Sequence, residues 1–430
     1  MNRATDTFRA VLPLREAARV QNDWLRRRLE TVLPEVMRRE GIDTWIVVAR
    51  EYAEDPVVLS LLPAPMLSAR RRTVLVFHAP EDGPFEALAI ANAGIGLDET
   101  YDPVWRKTQT ERAEETQAEA LRRILEARTV TRIGIDVSET FAFGDGLTVT
   151  QHAWLEEALG PDLFARTVSA ERVAVGWLER RLPEEIASAD ASNRLAHDLI
   201  AEAFSARVIQ PGVTRATDVA WWLRERTREL GLSCWFHPSV SIQRRGTTLS
   251  PMGATPDAVI LPGDLLHCDF GLHELGLATD TQRNAYVPHL HEDGPSDGMR
   301  EAMRLANRQQ DLLAAEMVAG RTGNEVLAAA RAAMDAEGLD GRIYSHPIGV
   351  HGHGAGPMIG RYDEQQFLPG TGEAILHDDT LFSFEMLIRH PLPEWDGQTI
   401  YLATEQIVAF TGGAVRYLGG GRQTHFHLVR

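Results

Sequence analysis

The chain has 430 residues with 44 basic and 61 acidic side chains, so its formal net charge is −17. With 44% hydrophobic and 24% charged residues, it has the composition of a globular protein of two or three domains. The acidic balance argues against nucleic acid or an anionic membrane surface as the main partner. Two cysteines, Cys234 and Cys268, cannot form a thiolate metal cluster. No secretory signal or long apolar run is visible, so we expect a cytoplasmic protein.

The first 170 residues alternate predicted helices and strands. A helix over residues 20–39 leads to a strand at 44–48, and a second strand lies at 73–77. A charged helix over 111–128 is followed by a strand at 133–136. Alternation of this kind is typical of helices packed on a sheet.

Residues 171–183 form the predicted linker, and a long helix begins at Pro183. Apolar residues at helical spacing continue this helix until Pro211 stops it. The next helix contains Trp221 and Trp222, which we interpret as core or interface side chains.

Strands dominate the chain from residue 239 onward, with one pair of helices between them. The strands are predicted at 264–271, 278–287, 380–388, 400–409 and 425–429, and the helices at 299–318 and 323–337. A capping box formed by Thr322 and Glu325 marks the start of the second helix.

Four acids interrupt these apolar strands. They are Asp269 in GDLLHCDFG, Asp280 in LATDTQR, Glu385 in LFSFEML and Glu405 in YLATEQIVAF. A buried carboxylate is costly unless it is paired or bound to a metal ion. A single such acid is more often salt-bridged, so the inference of a functional site depends on the four acids together. Strand alternation places Asp269 on one face with His267, and Cys268 on the other as a core thiol.

Between Asp280 and Glu385, the glycine-rich segment SHPIGVHGHGAGP contains three histidines: His346, His351 and His353. Glycines let the backbone approach a site closely. The glycine spacing fails the GxGxxG pattern, which argues against a dinucleotide fold, and no P-loop or GxSxG motif is present. The segment is therefore a candidate for contributing an imidazole to the acidic site.

In this order, the motifs GDLLHCDFG, TDTQR, GHGAG, FSFEM and ATEQIV resemble the pita-bread metallopeptidases of the M24 type. The resemblance is to the branch with Xaa-Pro aminopeptidase, prolidase and creatinase. It implies an α/β fold, with a creatinase-like α/β domain in residues 1–170 and the linker at 171–183. Residues 184–430 would form the catalytic domain, a curved antiparallel sheet flanked by helices.

The resemblance also implies a dinuclear metal site. Its ligands would be Asp269, Asp280, His353, Glu385 and Glu405, holding two divalent ions. Oxygen ligands with one imidazole suit manganese, cobalt, iron or zinc better than copper. The two ions would share a hydroxide that attacks the substrate, with Glu385 as the proton acceptor.

By the same resemblance, Arg283 lies close behind the ligands and orients them. The choice among the histidines stays open. His353 fits the family's GHGxG pattern best, His351 keeps the same following glycine, and His346 is a substrate-side candidate. We therefore treat His351 and His346 as catalytic candidates.

The sequence departs from the family at two substrate-contacting histidines. One is expected about seventeen residues before Asp269, where this chain reads SPMGATP and the nearest upstream histidine is His237. The other is expected seven residues after the metal-binding histidine. If His353 is the metal ligand, this position is Gly360.

We therefore expect a metallopeptidase that removes an N-terminal residue, at X-Pro bonds, with a short peptide as substrate and a homodimer as the assembly. One alternative is a metal-dependent hydrolase or lyase acting on a small non-peptide molecule, because one fold hosts several chemistries. A binding protein without turnover is a third. Nucleic acid and membrane partners are not expected.

Overall fold

The computed structural model describes residues 8–92, 96–105, 114–247 and 255–430. The α-helices in these ranges are α1 (Leu14–Glu30), α2 (Val32–Arg39), α3 (Pro56–Leu61), α4 (Gln117–Glu126), α5 (Val149–Phe164), α6 (Glu171–Glu179), α7 (Pro183–Ala203), α8 (Ala216–Glu229), α9 (Asp297–Glu316) and α10 (Gly323–Ala336). None of them is long and apolar enough to cross a membrane.

The strands of the first half are β1 (Thr44–Arg50), β2 (Arg72–His78), β3 (Glu86–Ile90), β4 (Asp102–Trp105), β5 (Ile133–Ile135) and β6 (Thr167–Ser169). Those of the second half are β7 (Ser233–Cys234), β8 (Ser239–Gln243), β9 (Leu265–Phe270), β10 (Leu272–Glu274), β11 (Leu277–Ala278), β12 (Thr281–Tyr286), β13 (Gly341–Pro347), β14 (Thr380–Leu392), β15 (Gln398–Thr411), β16 (Ala414–Tyr417) and β17 (His427–Leu428).

The described residues divide into two compact units. One is Leu12–Arg180, and the other consists of residues 8–11 with Arg181–Arg430. The division falls inside the predicted linker, but this segment contains helix α6, in which Val173 and Trp177 are buried. Residues 171–179 of the predicted linker thus form a helix that buries apolar side chains, and the linker bounds stay a prediction. The roles assigned to the two domains stay predictions.

The unit Leu12–Arg180 contains a six-stranded sheet in the order β4-β3-β2-β1-β5-β6. Buried apolar side chains of β1, β2, β3 and β5 pack with those of α4 and α5 into one core.

The helix predicted over residues 20–39 is two helices that meet at Thr31. Pro34 explains the break, because its ring clashes with the carbonyl four residues earlier. Of the helix predicted at 111–128, residues 111–113 lie outside the described ranges, and α4 starts behind its cap Thr116.

The second unit is built on a largely antiparallel sheet in the order β13-β14-β15-β12-β9-β8, with β16 beside β15 and β17 beside β12. One apolar core joins its β14 and β15 side chains to α9 and α10. A second core joins β9 and β12 to α7 and α8, and contains Cys268 as predicted. Helices therefore cover two separate parts of the sheet.

One detail differs from the sequence prediction and one refines it. Helix α7 ends at Ala203, well before Pro211, because Phe204 leaves the helical conformation at φ −92° and ψ 39°. Trp221 is 53% exposed, whereas Trp222 packs against the core, so Trp222 is a core side chain and an interface role for Trp221 stays a prediction.

Candidate metal centre

Five side chains form one row across the sheet of the second unit. Asp269 on β9 is the Cα partner of Gln282 on β12, and Gln282 is the partner of Glu405 on β15. Glu405 in turn pairs with Glu385 on β14, which pairs with Tyr344 on β13. Directly opposed residues on neighbouring strands project to the same face. The register alone therefore brings three of the predicted acids onto one face.

Residues two positions along the same strands add to this face. Asp280 precedes β12 by one residue, Ser383 lies on β14 and His346 lies on β13. The Nε2 atom of His346 is 3.9 Å from Oδ2 of Asp280 and 3.7 Å from Oε1 of Glu405. The hydroxyl of Ser383 donates a hydrogen bond to the same Glu405 oxygen. The fourth predicted acid thus joins the other three.

The potential ligand atoms form three overlapping groups, each with all atoms within 4.8 Å of one another. These groups are Asp269, Asp280 and Glu405; His346, Glu385 and Glu405; and Asp280, His346 and His353. Because each group shares a member with the next, they make one continuous set. We call the four acids and His346 the donor set.

The four carboxyl groups destabilise one another when they are ionised. Burial, and after it the neighbouring carboxylates, raise the pKa values of Asp269 and Asp280 well above their usual range. The same causes raise the pKa of Glu385 to about 8, and burial raises that of Glu405 to about 7. Buried like charges of this kind need protons or a cation.

Three atoms of the donor set are buried without a hydrogen-bond partner among the described residues. They are Oδ1 of Asp269, Oδ1 of Asp280 and Nε2 of His346. Buried polar atoms are nearly always paired, so such orphans call for an explanation. Carboxylate oxygens and an imidazole nitrogen are ligands for divalent ions of the first transition series, and the donor set fits such ions.

The geometry favours His346 over the predicted His353 as the imidazole ligand. His346 is fully buried, whereas His353 is exposed. The Nδ1 atom of His346 lies 3.0 Å from the carbonyl oxygen of Pro347, to which it donates. This hydrogen bond leaves the lone pair of Nε2 facing the acids, as in metal sites where the second ring nitrogen fixes the tautomer.

This choice changes the interpretation of the expected second histidine. Counted from His346, the position seven residues later is His353, so Gly360 is no longer the relevant position. The imidazole of His353 lies edge-on to that of His346, with 4.8 Å between the ring centroids. An exposed histidine therefore stands at the edge of the donor set, where a substrate has access to it.

The other histidines considered from the sequence lie elsewhere. The charged or titratable neighbours of His351 include His273 and Arg181, and burial lowers its pKa to about 4. His237 is exposed and contacts Trp221, with 4.8 Å between the ring centroids. The expected histidine seventeen residues before the first acid falls on residues 250–254, which lie outside the described ranges.

Arg283 contacts the donor set through the backbone only. Its guanidinium donates to the main-chain carbonyl of Glu405 at 3.3 Å and to the side chain of Gln406 at 2.6 Å. Its second terminal nitrogen lies 2.6 Å from Nε2 of His197. It is thus placed to fix strand β15 rather than to bind a ligand oxygen.

The sequence interpretation missed two side chains beside the acids. Gln282 donates from Nε2 to Oε1 of Glu385 at 3.1 Å, and its Oε1 accepts from Nε2 of His267 at 2.9 Å. Trp235 donates from its indole nitrogen to the carbonyl of Thr279 at 2.7 Å. For Gln282 the signal was available, because it follows Asp280 by two positions and so shares its face.

Metallopeptidase family M24 matches residues 189–417 of this chain. Among curated proteins no significant match is found. Solved structures give three informative likenesses. An X-Pro aminopeptidase from Thermotoga maritima has 15% identity and a TM-score of 0.63, and covers 92% of this chain and 100% of its own.

An Xaa-Pro dipeptidase from Bacillus anthracis has 17% identity and a TM-score of 0.61, covering 96% of this chain and 100% of its own. A dipeptidase from Pyrococcus horikoshii has 16% identity and a TM-score of 0.60, and covers 94% of this chain and 99% of its own. At these identities the likeness concerns the fold, and it confirms the predicted class. The family match spans more than half of the 430 residues and includes the whole donor set. This chain belongs to metallopeptidase family M24.

Proposed function

We propose that this metallopeptidase removes the N-terminal residue from short peptides at X-Pro bonds. The observation that carries the proposal is the donor set, whose orphaned atoms at Asp269, Asp280 and His346 are suited to divalent cations. The similar structures of an X-Pro aminopeptidase and an Xaa-Pro dipeptidase support the choice of bond.

We propose two divalent ions per chain, with Asp269, Asp280, His346, Glu385 and Glu405 as their ligands. Two such ions carry four positive charges, which the four carboxylates balance. Divalent ions supply Lewis-acid chemistry at such a site, by activating water and polarising the scissile carbonyl. Manganese, cobalt, zinc and iron all suit this mixture of oxygen and nitrogen ligands.

The protein's own residues would position the reactants and move the proton. Glu385 is the proposed proton acceptor, and the amide of Gln282 holds its carboxylate from one side. His353 is exposed beside His346 and is proposed to donate a hydrogen bond to the substrate carbonyl. The proton accepted by Glu385 then passes to the leaving amine, as general acid–base catalysis requires.

The first experiment measures cleavage of X-Pro dipeptides and tripeptides by metal-stripped protein, with manganese, cobalt, zinc and iron added back separately. Release of the N-terminal residue is expected only with added metal, with about two ions per chain by metal analysis. The variant Asp269→Asn is expected to lose both metal and activity. A homodimer, which the resemblance implies, is checked by the molar mass in solution.

Two results would contradict the proposal in different ways. If two ions bind but no peptide is cleaved, the substrate is a small non-peptide molecule handled on the same site. If no ion binds, the donor set has another purpose and the chain is a binding protein.

A further inference from the structure

Two of the proposed metal ligands, Asp269 and Asp280, are joined by the hairpin of β10 and β11. Leu272 and Thr279 close the base of this hairpin. The backbone nitrogen of Thr279 donates to the carbonyl oxygen of Leu272 at 2.8 Å, and the backbone nitrogen of Leu272 donates to the Thr279 hydroxyl at 3.1 Å. Because so short a connection separates the two acids, the position of the hairpin determines where their carboxylates lie.

The turn of this hairpin contains a strained residue. Leu275 and Gly276 have φ values of 51° and 77°, both positive as in the two-residue turns that join antiparallel strands. Glycine adopts such a φ freely, whereas leucine is strained there because of its Cβ. A strained backbone persists only where the surrounding structure holds it. Contacts outside the turn must therefore keep the hairpin in one position.

Glu274, beside this turn, is a buried carboxylate that is paired with Arg9. Its side chain is 3% exposed, and Arg9 donates to both of its oxygens, to Oε1 at 2.9 Å. The hydroxyl of Ser192 on α7 donates to Oε2 at 2.6 Å. No second cation lies within ion-pair distance of Glu274 among the residues that the structure describes. Since a buried carboxylate without its partner is strongly destabilising, the position of Glu274 depends on Arg9.

Arg9 reaches the hairpin from the start of the chain. Residues 8–11 belong to the same compact unit as the sheet that carries the donor set. The Phe8 ring packs against the core of α7, α8, β9 and β12, and the guanidinium of Arg226 lies over it at 5.1 Å from the centroid. Nε of Arg9 donates to the carbonyl oxygen of Ala191 on α7 at 3.4 Å. The segment is thus anchored on two helices, and Arg9 extends from them to the hairpin.

We propose that Arg9 is a positioning residue for the metal centre, which acts through Glu274 by fixing the hairpin between Asp269 and Asp280. A guanidinium that binds both oxygens of a carboxylate fixes its orientation as well as its distance. The inference rests on the proposed function, because it concerns the affinity for the proposed ions. It adds that the first residues of the chain determine how tightly these ions bind.

The test measures the metal affinity of Arg9→Gln by competition with a chelator. The variant leaves the buried Glu274 carboxylate without its cation, and it is expected to bind manganese about 10- to 100-fold more weakly, the range for groups that orient ligands. Excess manganese is expected to restore kcat to within about twofold, because the donor set itself is unchanged. A purely structural role would lower the free energy of unfolding and leave the affinity as it is. Wild-type affinity in folded Arg9→Gln overturns the inference.

Further variants separate the ion pair from other effects. Glu274→Gln removes the buried charge and leaves Arg9, which is 35% exposed, so a smaller loss of affinity is expected than in Arg9→Gln. The double variant contains no unpaired buried charge and is expected to behave like Glu274→Gln alone. If the two single effects simply add, the ion pair is not their cause and the inference fails.

Arg9→Lys and Arg308→Gln complete the set. Arg9→Lys keeps the charge without the planar fork and is expected to lose part of the affinity. If Arg9→Gln does not fold, wild-type affinity in both Arg9→Lys and Glu274→Gln overturns the inference. Arg308→Gln is the matched control, because Arg308 lies on α9 of the same unit and pairs with Glu337. It is expected to bind metal as the wild type does.

Hydrogen–deuterium exchange of the metal-free protein separates this inference from the proposed function. Arg9→Gln is expected to exchange the backbone amides of residues 272–279 about tenfold faster than the wild type, and Arg308→Gln at the wild-type rate. If the wild type binds no ion, the proposed function fails, and faster exchange in Arg9→Gln still supports the role of Arg9 in fixing the hairpin. Unchanged exchange overturns that role whether or not the wild type binds metal and cleaves peptides.

Discussion

The substitution Glu405→Gln is expected to stabilise the metal-free protein and to destabilise the metal-loaded one. Glu405 is 1% exposed, and burial raises its pKa from 4.5 to about 7. One pKa unit corresponds to about 1.4 kcal/mol, so ionising Glu405 in the folded protein costs about 3 kcal/mol at pH 8. Glutamine has nearly the same shape, accepts the hydrogen bond of Ser383 and avoids this cost.

The pH dependence follows from the direction of the shift. Between pH 4.5 and about 7 the folded protein keeps a proton on Glu405 that the unfolded chain has released. Stability therefore falls as the pH rises through this window, and the glutamine variant lacks this contribution. The free energies of unfolding of the two metal-free proteins should differ by less than about 1 kcal/mol at pH 5 and by about 3 kcal/mol at pH 8.

Bound metal is expected to reverse the sign of this stability difference, so that the metal-loaded wild type is more stable than the metal-loaded variant. Ions that bind only the folded state stabilise it in proportion to the logarithm of their binding constant, and the variant has lost a proposed ligand. The assay is urea unfolding followed by circular dichroism at pH 5 and pH 8, with a chelator or with manganese. Glu225→Gln, which changes an exposed acid on α8, is the control and should show neither effect. A variant no more stable than the wild type at pH 8 in chelator would refute the reasoning.

Four more substitutions test the arrangement of the centre. His346→Asn is expected to lower the metal content of dialysed protein. His353→Gln is expected to keep the metal and to lower kcat. If instead His353→Gln loses the metal and His346→Asn keeps it, His353 is the ligand. Gln282→Leu is expected to weaken metal binding about 10- to 100-fold in a chelator competition, because its amide orients a proposed ligand; unchanged affinity contradicts that role. Gly271→Ala is expected to lower the free energy of unfolding by about 1–3 kcal/mol, because its Cβ would lie 2.1 Å from the indole nitrogen of Trp235. Unfolding in urea at the wild-type midpoint would show that both Trp235 and the Thr279 carbonyl, 2.5 Å from the same Cβ, shift at no cost in stability.

The acids of the centre are visible in the sequence because each one violates a local pattern. Asp269, Glu385 and Glu405 interrupt apolar strands, where a charge without a partner is costly. The pairing of their strands is a long-range property that the local pattern does not contain. The local pattern shows that Gln282 shares a face with Asp280, but only the register shows that it lies between Asp269 and Glu405.

The choice of histidine shows a second limit of local patterns. The segment offers three imidazoles, and the glycine spacing around His353 matches a known motif best. What distinguishes His346 is its burial and the hydrogen bond of its Nδ1 to Pro347. Both depend on how the end of β13 packs against distant parts of the chain, which the sequence of thirteen residues cannot show.

The helices follow the same division between local and tertiary causes. The start of α10 was predicted from its capping residues, Thr322 and Glu325, whereas the helix predicted from residue 111 begins only at Gln117, after the cap Thr116. Helix α6 was not predicted, because its identity as a helix depends on burying Val173 and Trp177 in a core formed elsewhere in the chain.

The row across five strands also fixes when the protein can acquire metal. Asp269 and Glu405 lie 136 positions apart in the chain (405 − 269), and they approach only after β12 has paired with β15. Closing so long a loop costs chain entropy that distant contacts recover late in folding. A nascent chain that has not yet paired β15 holds at most part of the donor set. Metal uptake would therefore complete folding rather than start it, and bound metal would mark chains whose sheet is finished.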